Sequence, residues 1–142
     1  MYLLDTNVVS ELRKIRAGKA DLAVASWAES VGSTQLYLSV ITVQELEIGV
    51  MLMEQRDKAA GAVLRAWLDQ KVMPEFTGRI LPVDIATARR SATLHVPKTR
   101  PFRDSLIAAT ALLHGMTIVT RNVADFDYAG GTILNPWNWR AK

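Results

Sequence analysis

Four acidic residues occupy comparable places in the chain, each just beyond a short apolar run or just inside an element that follows one. Asp5 follows the run at residues 2–4, Glu45 follows the run at 36–40, Asp104 lies inside a helix starting near Pro101, and Asp125 lies in the loop 121–126 behind the run at 116–120. Four carboxylates meeting at one point, with the carboxamide of Asn122 beside them, would repel one another and have raised pKa values unless a cation were present. The chain has no cysteine, and its only histidines, His95 and His114, end helices. An all-oxygen donor set favours a hard divalent ion, Mg²⁺ or Mn²⁺, over zinc. Such an ion can activate water and stabilise charge developing on a phosphodiester, so the chemistry expected of this cluster is metal-assisted hydrolysis.

Each acid also has an ordinary structural reading. Asp5 suits the N-cap of the helix after it. Thr42-Val43-Gln44-Glu45 has the form of a capping box, with Ile41 and Leu46 as the accompanying hydrophobic staple. Asp104 could answer a helix dipole from the first turn, Asp125 could be a surface-loop acid, and Asn122 suits a turn. None of these readings explains why all of them should fall on one edge of the molecule.

That edge follows from the elements. Apolar, β-rich runs at 2–4, 36–40, 79–83, 116–120 and 132–134 alternate with stretches of helical period. The helical stretches run through Val8, Val9 and Leu12, over about 22–30, from Thr42 onward, over 58–72, from an Asp84 N-cap to about Leu94, and from Pro101 to a Gly115 C-cap. Pro74 and Gly78 bracket a turn. Such alternation predicts an α/β fold with a mostly parallel central sheet flanked by helices. In such sheets ligands bind outside the carboxyl ends of the strands, where the following helices begin. Asp5, Glu45, Asp104 and Asp125 are all expected at that edge, with Glu45 and Asp104 each in a first helical turn.

Composition agrees with a single domain over residues 1–142. Of the 142 residues, 49% are apolar and 22% charged, and 17 Lys and Arg against 14 Asp and Glu leave a net charge of +3. A core of this size needs no disulfide or structural metal. The lack of cysteine removes thiolate nucleophiles, iron–sulfur clusters and zinc ribbons, and agrees with a reducing cytosol. The early acid at Asp5 does not fit a secretory leader, and no apolar run reaches the length of a membrane span. The glycines form neither a P-loop nor a dinucleotide fingerprint.

Four segments in this order and spacing resemble the PIN-domain ribonucleases, specifically the VapC-type and FitB-type toxins of toxin–antitoxin pairs. They are Leu4-Asp5-Thr6-Asn7; Ser39-Val40-Ile41-Thr42-Val43-Gln44-Glu45-Leu46 with Gly49; Asp104-Ser105-Leu106-Ile107-Ala108-Ala109-Thr110-Ala111; and Val119-Thr120-Arg121-Asn122-Val123-Ala124-Asp125-Phe126. The tail Asn135-Pro136-Trp137-Asn138-Trp139 is similar to the FitB-type ending. The resemblance implies a PIN fold, a homodimer, a Mg²⁺- or Mn²⁺-dependent endoribonuclease, and a cognate antitoxin that silences it; the cytoplasmic location is the expectation drawn from the lack of cysteine. It matches Asp5, Glu45 and Asp104 to the family's three core acids, and Asp125 rather than Asn122 to the fourth. Thr6 and Thr120 match hydroxyl positions bordering the site, and Asn7 a polar position that braces it.

Lys98, Arg100 and Arg103 precede Asp104, and Arg121 precedes Asn122, which suits a rim for RNA phosphates. The group Arg13, Lys14, Arg16 and Lys19 reads equally as solvated surface. Phe102 could stack on a base, with a core or dimer role the plainer expectation, and Trp137 and Trp139 read as packing residues. Two rival functions remain. A haloacid dehalogenase-like phosphatase needs a second acid two residues after the first, where this chain has Asn7. A non-catalytic PIN-like module that binds RNA or protein needs no intact acid set.

Overall fold

The strand residues divide into two alternating sets, as the period of 2 of an extended chain requires. Tyr2, Leu4, Leu36, Leu38, Ile80, Val119 and Leu134 pack into one core cluster, while Leu3, Tyr37, Leu81, Ile118 and Ile133 pack into another. A sheet buried on both faces needs helices on both, and the computed structural model, which describes residues 1–141, has that arrangement. Lys142, the last residue of the expected 1–142 domain, lies outside the described residues.

The strands are β1 (Tyr2–Leu4), β2 (Leu36–Ser39), β3 (Ile80–Leu81), β4 (Thr117–Val119) and β5 (Ile133–Leu134). They form one parallel sheet in the order β3-β2-β1-β4-β5. The helices are α1 (Thr6–Leu12), α2 (Leu22–Val31), α3 (Val40–Arg56), α4 (Lys58–Trp67), the single turn α5 (Met73–Glu75), α6 (Ile85–Thr93) and α7 (Phe102–His114). Val8 and Val9 of α1, Trp27 of α2, and Leu46 and Val50 of α3 fill the first core cluster, together with Leu68, Val72 and Phe76. Ile107, Ala108 and Ala111 of α7 fill the second with Met116 and Phe126. The fold is thus the mostly parallel, two-sided α/β sheet expected from the sequence. None of the described helices is long and apolar enough to cross a membrane.

Several boundaries differ from the sequence reading. The helix expected from Thr42 begins at Val40, because the strand stops at Ser39 and the Ser39 hydroxyl caps the helix by accepting from the Ile41 N–H at 3.0 Å. Thr42 is fully buried and donates instead toward the Leu4 carbonyl at 3.5 Å, so the capping box and its staple do not form. Glu45 consequently stands in the second turn of α3, not the first. The stretch 58–72 is α4 followed by a π-helical turn, Leu68–Val72, that runs into α5 with Pro74 inside it, so Pro74 does not bracket the turn. Pro101 is the N-cap of α7, one place before the first-turn position. Asp84 caps α6 as expected, its carboxylate accepting from the Thr87 N–H at 2.9 Å, and Gly115 ends α7 with φ +63°.

Candidate active site

The chain leaves β1 toward β2 on one side of the sheet, and leaves β4 toward β5 on the other. The neighbours β1 and β4 therefore flank the switch point, where connections diverge and a crevice opens at the strands' carboxyl ends. Register places Leu4 opposite Val119, so the next residues, Asp5 and Thr120, stand side by side at that crevice. Both are buried, Asp5 with 8% exposure and Thr120 with none.

Asp5 uses both carboxylate oxygens. Oδ1 caps α1 by accepting from the Thr6 N–H at 2.8 Å. Oδ2 accepts from the Thr120 hydroxyl at 2.8 Å and from the Asn7 amide at 3.2 Å. The capping reading is correct for one oxygen, while the other belongs to a network that ties β1 to β4. Asn7 extends it: its amide is 3.3 Å from the Thr120 hydroxyl, and its Oδ1 accepts from the Arg121 N–H at 3.2 Å. Thr120 Oγ1 in turn accepts from the Asn122 N–H at 3.0 Å, which fixes the start of the loop carrying Asp125. Burial, the largest effect, raises the Asp5 pKa against the lowering by these hydrogen bonds, and the Asp125 charge raises it further.

Glu45 reaches the same edge from α3. Its Oε1 accepts from the Thr6 hydroxyl at 2.9 Å, and its Oε2 is 3.8 Å from a guanidinium nitrogen of Arg103. Asp104, in the first turn of α7, has its pKa pushed up to about 6. Burial is the main cause, followed by the charges of Asp125, Asp5 and Glu45, with Arg103 opposing. Asp104 thus feels all three of the other carboxylates, and the four acids share one electrostatic neighbourhood. Asp125 and Asn122 are both exposed in the loop after β4, and Val123–Asp125 forms a single 3₁₀ turn.

Among the described residues no three acidic or histidine side chains stand close enough together to chelate an ion. The donor chemistry nevertheless fits a hard cation. Burial first, and then the charges of the neighbouring acids, raise the Asp104 pKa to about 6, so the cluster lacks positive charge; the nearest candidate, Arg103, is a half-exposed residue 3.8 Å from Glu45. The residues that could hold the ion are Asp5, Glu45, Asp104 and Asp125, with Thr6, Asn7 and Thr120 orienting them. Neither histidine joins them: His114 closes α7 at the opposite end, and His95 is bonded to Ser105 and to the Arg100 backbone.

The basic residues are distributed unevenly around this edge. Arg103 faces Glu45, Arg121 lies over the Trp137 ring at 5.0 Å, and Lys98 is exposed in the loop before α7. Arg100 lies over the Tyr128 ring at 4.3 Å. Arg13 is 5.8 Å from the Trp67 ring and borders a cavity of about 220 Å³ that Thr6 and Glu45 also line, so this member of the first-helix group is adjacent to the site. Lys14 pairs with Glu11 instead. Phe102 is 72% exposed with the His95 ring 5.0 Å away, which excludes the core role expected for it. Trp137 and Trp139 do pack against the first core cluster. Tyr128 was not legible in the sequence as a site residue. It sits in a short loop turn with no periodic signal, and only the packing of that turn on α7 brings it beside Arg100, Asp104 and Asp125.

A family model described as the PIN domain matches residues 2–130. The chain is 38% identical over 142 residues to the VapC ribonuclease Y4jK of Sinorhizobium fredii, covering 96% of this chain and 98% of that protein. It is 39% identical over 144 residues to Toxin FitB of Neisseria gonorrhoeae, covering 97% and 99%. The crystal structure of FitAcB from Neisseria gonorrhoeae superposes with a TM-score of 0.87 at 37% identity, over 97% of this chain and 99% of that one.

Proposed function

The chain belongs to the PIN-domain family, and from that premise we propose that it is a metal-dependent endoribonuclease acting as the toxin of a toxin–antitoxin pair. The observation that carries the reading is the set of four carboxylates from four segments at the carboxyl edge of β1 and β4, with Asp5 and Asp104 both raised in pKa. Relatives named VapC ribonuclease and Toxin FitB support both the reaction and the biological role.

Asp5, Glu45, Asp104 and Asp125 would hold Mg²⁺ or Mn²⁺. When bound, an ion of that class supplies Lewis acidity toward a phosphoryl oxygen and toward attacking water. The protein's own contribution is pre-organisation. Thr120 and Asn7 fix the Asp5 carboxylate from one side while the α1 N-terminus fixes it from the other, so one carboxylate rotamer is held before any ligand arrives. Thr6 holds Glu45 in the same way. Lys98, Arg100, Arg103 and Arg121 would contact the phosphates of an RNA strand laid across this edge, giving affinity that depends on salt. We assign the active form to a cytoplasmic homodimer, silenced by a cognate antitoxin.

Asp5→Asn tests the reading directly. The substitution keeps an oxygen that can cap α1 and removes the charge, so the protein is expected to stay folded by circular dichroism and to lose RNA cleavage. A folded Asp5→Asn protein that cleaves RNA at the unsubstituted rate would remove Asp5 from the reaction.

A further inference from the structure

The loop before α7 and the turn Asp127–Ala129 meet beside the carboxylates. There the Arg100 guanidinium lies 4.3 Å from the centre of the Tyr128 ring, and both side chains are partly buried. The arginine is anchored at its backbone too. Its N–H donates to Nδ1 of His95 at 3.2 Å, and Nε2 of that ring is 2.9 Å from Oγ of Ser105, the residue after Asp104. Ser105 is itself bonded to Ser91 at 3.0 Å and to the Phe102 carbonyl at 2.9 Å. Arg100 is therefore held in a fixed relation to the helix that carries Asp104.

Within this pair two buried polar atoms, Nε of Arg100 and Oη of Tyr128, have no hydrogen-bond partner among the described residues. An unsatisfied buried donor costs about 1–3 kcal/mol. Two such donors in one stacked pair at the edge of the carboxylate cluster find no acceptor among the described residues, and the oxygens of a bound ligand would satisfy both. A planar guanidinium with a free Nε edge is suited to two parallel bonds to a phosphate, and a tyrosine hydroxyl adds a third donor to the same oxygens. An aromatic face under the guanidinium keeps it in position without neutralising it.

We propose that Arg100 and Tyr128 form a phosphate clamp, in which the Arg100 side chain turns its Nε edge outward and, with the Tyr128 hydroxyl, grips an RNA phosphodiester next to the one cleaved. The clamp rests on the ribonuclease reading above. It assigns both residues to substrate binding and neither to the bond-breaking step.

The test compares Tyr128→Phe, Arg100→Lys and Arg100→Gln with the unsubstituted chain, using initial rates of Mn²⁺-dependent cleavage of total cellular RNA at low and at saturating RNA. Tyr128→Phe removes only a hydroxyl that bonds to nothing among the described residues, so its thermal midpoint should be unchanged or higher. The expected result is a rate about fivefold lower at low RNA for Tyr128→Phe and about tenfold lower for both Arg100 variants, recovering at saturating RNA. Arg100→Gln should also flatten the dependence of log rate on log salt by about 0.7, the loss of one phosphate contact on a single strand. Rates equal to the unsubstituted chain, or reduced equally at low and saturating RNA, would overturn the clamp while leaving the ribonuclease reading intact. No cleavage by the unsubstituted chain would overturn that reading, and the clamp with it.

Discussion

Asp104→Asn should make the metal-free protein more stable while abolishing its response to metal. The Asp104 carboxyl pKa is raised from 3.8 to about 6, a little over two units, because burial and three neighbouring carboxylates disfavour its charged form. At 1.36 kcal/mol per unit the full shift corresponds to roughly 3 kcal/mol of destabilisation at pH 7.5. Solvent reaches part of the side chain, so screening reduces this to about 1–2 kcal/mol. In a chain of 142 residues that is a rise in Tm of about 3–8 °C. The sign follows from proton linkage. Between pH 4 and 6 the folded protein binds more protons at Asp104 than the unfolded chain does, so stability falls as pH rises through that window. The gain on substitution is therefore absent below about pH 4, grows as pH rises toward the folded pKa of about 6, and is complete by about pH 7, where the folded carboxyl has lost its proton. The assay is thermal unfolding in chelator, then in Mn²⁺, for both proteins from pH 4 to pH 8. The unsubstituted chain should gain stability with Mn²⁺ and the variant should not. A variant less stable than the unsubstituted chain at pH 7.5 in chelator would refute the electrostatic argument.

Other expectations follow from single contacts. Thr120→Val keeps shape but deletes the donor to Asp5 and the acceptor for Asn122, so it should cost about 1–3 kcal/mol by urea denaturation and lower RNA cleavage at least tenfold; unchanged stability would mean that the network is not formed in solution. Thr6→Val should leave Tm within a few degrees yet lower Mn²⁺ affinity measured by calorimetry, because Glu45 loses the hydroxyl that holds it. Gly61→Ala would place a Cβ 2.5 Å from the Glu54 Cα, where α4 crosses α3, so it should destabilise by about 1–3 kcal/mol through overpacking, and a neutral result in thermal unfolding would contradict the close approach of these helices.

The parallel sheet and the edge of acids were legible because they rest on strong signals: short apolar runs between helical stretches, and acids placed just behind such a run or in the first turns of a helix. The misread cap at α3 shows where this reasoning stops. Thr42-Val43-Gln44-Glu45 has the residue types of a capping box, but a box forms only if the helix starts at its first residue. The Ser39 hydroxyl captured the start three residues earlier. Moving the start turned Glu45 from an apparent cap into a residue bonded across to Thr6 from α1, a partnership that spans 39 positions and leaves no local trace. The Asp5 to Thr120 bond spans 115 positions and exists only because β1 and β4 are neighbours, an order that strand patterns alone do not specify. Tyr128 was invisible for a related reason. Its role comes from a turn folding onto α7, and neither its type nor its spacing distinguishes it from an ordinary loop aromatic.

The most direct test of the central claim is cleavage of total cellular RNA by the purified chain alone, with Mg²⁺, with Mn²⁺ and with chelator, beside a folded Asp104→Asn control. Discrete fragments are expected with either metal, none with chelator and none from the variant. Fragments that persist in chelator, or that the folded variant still produces, would contradict a cation held by Asp5, Glu45, Asp104 and Asp125 as the basis of the activity.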